Sequence, residues 1–111
     1  MGFKFNNRVC VIEIENCRYS VVFQKSLIDR LNNAKDFFSR MKNCDDMGND
    51  RACEMFDRAI DSILGKGSAK KIFSGRFPDI TERFAVLKYI YDELTAFMER
   101  IAGEADVQPE K

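Results

Sequence analysis

The sequence predicts an α+β domain in which an N-terminal β-hairpin packs on a bundle of three main helices and one short one. Three observations predict it. β-Branched and aromatic residues dominate residues 8–23, in two runs of strand length. From residue 26 onward apolar residues recur at alternating steps of three and four, the helical period. Glycines at 48, 65, 67, 75 and 103 interrupt that periodicity and divide it into separate helices. A chain of 111 residues has the length of one ordinary domain, expected here over residues 1–103, with a polar, disordered tail over 104–111.

The expected strands cover about 8–14 and 17–23, joined by Glu15-Asn16. Asn16 tolerates the positive φ of a tight hairpin turn. In that register Cys17 faces Ile14 and Cys10 faces Val21. Cys17, Tyr19, Val21 and Phe23 share one face, which must pack on the helices because two strands alone are marginal in water. Phe3 and Phe5, followed by Asn6-Asn7, suggest a short third strand.

The first helix is expected over about 26–43. Ser26 and Asp29 form a capping-box-like start, and Leu27, Leu31, Ala34, Phe38 and Met41 form the stripe. A polar connection leads to a second helix over about 50–64, with Ala52, Phe56, Ala59 and Ile63 on one stripe, Cys53, Ile60 and Leu64 beside it, and Gly65 and Gly67 beyond its end. Ser68 is read as the cap of a short helix over 69–73. The last helix, about 79–102, starts at Asp79 and Glu82 and carries Ile80, Phe84, Leu87, Tyr91, Leu94, Met98 and Ile101.

Composition narrows the functional classes. Eighteen basic residues balance eighteen acidic ones, and a zero net charge argues against nucleic acid as the main partner. No stretch reaches the roughly 20 apolar residues of a membrane-spanning helix, and the N-terminal residues lack the apolar run of a secretory signal, so cytoplasm is the expected compartment. The four cysteines (Cys10, Cys17, Cys44 and Cys53) show no C-x-x-C pair and are expected as free thiols without metal. The chain has no histidine, the commonest base in nucleophilic catalysis. Asp57 and Asp61 share a helix face at i,i+4, a formal carboxylate pair, yet Glu54 and Arg58 surround them as on a solvated face. Gly65-Lys66-Gly67-Ser68 lacks the spacing and preceding strand of a phosphate-binding loop and reads as a helix stop and restart. No catalytic residue, cofactor or metal ligand is expected.

One short segment has the composition of a docking patch. Ile72, Phe73 and Phe77 are large and apolar, with Lys70, Lys71 and Arg76 around them. An apolar centre with a charged rim is the anatomy of a protein-binding surface. The competing reading is that Ile72 and Phe73 close the core.

The run Ala59-Ile60-Asp61-Ser62-Ile63-Leu64-Gly65-Lys66-Gly67-Ser68-Ala69-Lys70-Lys71-Ile72-Phe73 resembles the central segment of tail assembly chaperones of phages and prophages from Gram-positive hosts. In those proteins a helix ends in D-x-x-L-G-x-G and a short A-x-K-I-F element precedes a long last helix. Ile12 to Val21 is similar to their N-terminal hairpin, I-x-I-N-G-x-x-Y-x-V, and departs from it at the turn. The resemblance implies a non-enzymatic helper in the bacterial host cytoplasm that binds the tape measure protein, the tail tube protein or both, with self-association left open. The alternative is an adaptor or regulatory module of a mobile element that touches nucleic acid through Lys66 to Arg76.

Overall fold

The computed structural model describes residues 9–41 and 48–106. Two strands, β1 (Val9–Ile14) and β2 (Cys17–Val22), precede α1 (Lys25–Met41), α2 (Asn49–Leu64), α3 (Ser68–Ile72) and α4 (Ile80–Asp106). The α+β architecture is the one the sequence predicts. The suggested third strand at Phe3 and Phe5 lies outside the described residues, as do Cys44 and the end of the first expected helix.

The hairpin has the expected register. Ile14 pairs with Cys17 and Cys10 with Val21 in an antiparallel ladder closed by Glu15-Asn16. The left-handed conformation falls on Glu15 (φ 53°) and not on Asn16, which corrects the sequence reading. Alternation sends Cys10, Ile12 and Val21 into the core, where they are buried, and leaves Val9, Val11 and Val22 on the outer face. The hairpin rests on α4 through β1 and on α2 through β2.

The helices bury one contiguous cluster. Leu27, Phe56, Ile60, Ile63, Leu87, Ile90 and Leu94 are almost wholly enclosed. Edge-on aromatic contacts tie three helices together: Phe37 meets Phe56 at 4.9 Å between centroids, and Phe38 on α1 meets Phe84 and Tyr91 on α4 at 5.5 and 5.7 Å. On α4 the buried line is Leu87, Ile90, Leu94, Phe97 and Ile101. Phe84 is exposed, and Tyr91 and Met98 form the half-buried margin of the expected stripe.

Helix boundaries differ from expectation by one residue at several ends and by four at the end of α4, and three of these differences bear on local structure. α1 begins at Lys25, so Ser26 lies inside the first turn and its hydroxyl accepts from Arg30 Nη2 at 3.2 Å. α3 begins at Ser68 rather than being capped by it, and its cap comes from the preceding helix. The Asp61 carboxylate accepts the amides of Gly67 (3.2 Å) and Ala69 (2.8 Å). α4 continues through Gly103 to Asp106, past the expected end at about residue 102. One glycine costs a helix only about 1 kcal/mol and need not end it. The remainder of the expected tail, residues 107–111, is not described.

Candidate functional site

The segment from Ala69 to Phe77 is built outward from α2. Gly65 (φ 121°) and Gly67 (φ 87°) provide the backbone angles that reverse the chain after α2, and Asp61 then fixes the start of α3. α3 lasts five residues and packs Ala69 and Ile72 against α2. A β-turn follows, in which the Arg76 amide donates to the Phe73 carbonyl at 3.0 Å, with Gly75 at its third position at φ 75°.

The proposed patch divides. Ile72 and Phe73 are 8% and 5% exposed and belong to the core, so the core-closing reading holds for both. Lys70 and Lys71 are exposed. Arg76 is exposed and engaged, its Nε donating to Glu82 Oε1 at 2.8 Å, and this bond holds the Glu82 carboxyl below its ordinary value. Phe77 alone carries the apolar character outward: it is 81% exposed.

Arg83, which no motif singled out, organises this region. It is buried, at 6% exposure. Its Nε donates to Asp57 Oδ1 on α2 at 3.3 Å, and its Nη1 donates to the Phe77 carbonyl at 3.2 Å. Its guanidinium carbon lies 3.9 Å from the centroid of the Phe73 ring, and Glu82 Oε1 is 3.8 Å from Nη1. A planar, permanently charged fork suits this mixture of carboxylate, carbonyl and ring face. A second anchor is the Asn49 side-chain amide, which donates to the Pro78 carbonyl at 3.0 Å. The backbone of Phe77-Pro78 is therefore gripped from α4 and α2 while the Phe77 ring points away from both.

The sequence did hold a signal for Arg83. Positions 83, 87, 90, 94, 97 and 101 form one unbroken three-four series, and Arg83 is its only charged member. A charge on a core stripe needs a partner, and Asp57 supplies it.

Asp57 and Asp61 are given to different tasks. Burial pushes the Asp57 carboxyl above its ordinary value, with Arg83 opposing the shift, and Asp61 holds the start of α3. Cys10, Cys17 and Cys53 are free thiols, and among the described residues no group of three or more potential ligands is arranged to hold a metal ion. No described helix is long and apolar enough to cross a membrane.

No curated protein and no solved structure matches the chain. One family model does, over residues 12–108, which takes in the hairpin from Ile12, the α2–α3 junction and all of α4. The chain belongs to that family, a family of unknown function designated DUF6673.

Proposed function

We propose that this chain is a non-enzymatic protein-binding helper, and that it acts as a phage tail assembly chaperone on the tape measure protein, the tail tube protein or both. The observation that carries the binding half is the presentation of Phe77. The ring is 81% exposed, and the backbone that carries it is already anchored before a partner arrives. Pre-ordering lowers the entropy lost on association, and an aromatic ring supplies the large apolar contact typical of an interface centre. Lys70 and Lys71, nearby in sequence, are exposed. The tail half rests on the resemblance of residues 12–21 and 59–73. A tape measure protein is a very long helical chain whose apolar stripes need cover before the tube encloses it, and a small domain with one firm apolar anchor suits that task.

The test is co-expression with tape measure fragments and with the tube protein. The unsubstituted chain is expected to co-purify with one of them, and Phe77→Ala to weaken capture by about tenfold or more. The melting temperature of Phe77→Ala should stay unchanged, because the ring touches solvent. Failure to bind either protein would refute the tail reading, and binding indifferent to Phe77→Ala would move the contact elsewhere.

A further inference from the structure

We propose that the groove between α1 and α2 is a second docking site, and that it takes an amphipathic helix of a partner protein whose apolar stripe is flanked by carboxylates. The proposal rests on the reading of the chain as a protein-binding module but uses a different surface. The groove is open to solvent, has a volume of about 260 Å³, and is lined by Ala34 and Phe37 of α1 and Met55 and Ala59 of α2, with Asn33 and Ser62 beside them. Arg30, at the start of α1, donates from Nη1 to the Ile63 carbonyl near the end of α2 at 2.7 Å. That bond ties the start of one helix to the end of the other, as in an antiparallel pair.

The occupant follows from shape and charge. Ala34 with Phe37 and Met55 with Ala59 are spaced i,i+3 and i,i+4, so each wall shows helical ridges, and an alanine on each side allows close approach. Two antiparallel helices with such a cleft accept a further helix, read by anchors at i, i+3 or i+4, and i+7. Arg40 and Arg58 stand at the margins, one on each helix, and among the described residues no carboxylate lines the groove. Arg58 meets Glu54 only at 3.9 Å, with both side chains well exposed, a contact worth little and easily exchanged for one to a partner. A helix seated on this floor brings its flanking positions beside the two guanidiniums. Acidic residues there would be matched on both sides and basic ones opposed on both sides.

The test uses the full chain and two synthetic helical peptides of roughly 18 residues, long enough to hold a helix. Both carry a leucine stripe at i, i+3, i+4 and i+7, one flanked by glutamate and the other by lysine. Fluorescence anisotropy is expected to show the glutamate peptide binding about tenfold or more tightly than the lysine peptide, with the preference falling as salt rises. The double variant Arg40→Glu/Arg58→Glu should reverse that order while circular dichroism and melting stay unchanged, since both arginines are exposed. Phe77→Ala should leave peptide binding intact, which separates this site from the one at Phe77. Equal affinity for the two peptides, or indifference to the double charge reversal, overturns the groove proposal without touching capture through Phe77. A peptide-indifferent chain whose self-association is lost on charge reversal also overturns it, in favour of a second copy as occupant.

Discussion

At the scale of single residues, Arg83 and the buried thiols show how environment decides what a side chain does. Arg83 satisfies a carboxylate, a carbonyl and a ring face from one buried position, so its removal strands several groups at once. Arg83→Ala is expected to cost about 2–4 kcal/mol in urea unfolding, at the lower side of a buried-pair deletion because Asp57 retains some solvent contact. Arg83→Lys should recover only part of this, since an ammonium lacks the planar fork. Full recovery with lysine would reduce the role of Arg83 to its charge. Burial pushes the thiols of Cys10 and Cys53 and the phenol of Tyr19 above their ordinary values. A raised folded-state value means that the folded chain resists ionisation more than the unfolded one. Stability is therefore undiminished below the ordinary thiol value of about 8.5 and declines as pH rises beyond it. Thermal melts from neutral pH upward should show that alkaline decline, and alkylation of the native chain should modify the half-buried Cys17 before Cys10 or Cys53. Fast modification of Cys10 would show that the hairpin opens from α4.

At the scale of elements, legibility depended on whether the information was local. The hairpin register could be read because a two-residue turn fixes every pair once Glu15-Asn16 is recognised. The positive φ at Glu15 could not, because residue type favours Asn16 for that conformation. The start of α4 was legible in Asp79, whose Oδ1 accepts the Thr81 amide at 3.0 Å. The start of α3 was not. Ser68 has the residue type of a cap but is the first helical residue, and the acceptor comes from Asp61, eight residues before the Ala69 amide it binds. That bond also explains the spacing in D-x-x-L-G-x-G: the aspartate sits one turn before the helix end and the two glycines return the chain to it. Asp61→Ala should accordingly cost about 1–2 kcal/mol, and Asp61→Asn less, because one acceptor oxygen remains. Chemical denaturation would measure both, and equal losses would place the effect in charge rather than in the cap. The candidate patch was half legible for the same reason. Composition identified Ile72, Phe73 and Phe77 as apolar, but their division between core and surface depends on where Arg83 and Asn49 hold the loop.

At the scale of the whole molecule, the question is whether hairpin and helices are one cooperative unit. A two-stranded hairpin has little stability alone, and its inward residues Ile12 and Val21 are 0% and 3% exposed because α2 and α4 cover them. The helices depend on the hairpin in return, since without β1 the part of α4 that it covers would meet water. Leu94 is 0% exposed, and Leu94→Ala is expected to cost about 2–5 kcal/mol, a large part of the 5–15 kcal/mol typical of a domain. Ile12→Ala removes a comparable volume from the same core and should cost a similar amount. The informative observable is the shape of the transition. Far-UV circular dichroism follows the helices, while near-UV signals report on tyrosine packing, including Tyr19 on the hairpin, whose hydroxyl donates to the Ser68 carbonyl at 3.4 Å. In a single cooperative unit the two signals lose amplitude at one midpoint, and Ile12→Ala lowers both midpoints together. A near-UV transition that precedes the far-UV one in Ile12→Ala would show the hairpin to be an appendage, with the helices holding their own core. Coincident midpoints would place Ile12, Leu94 and the Asp57–Arg83 pair in one structure that opens only as a whole.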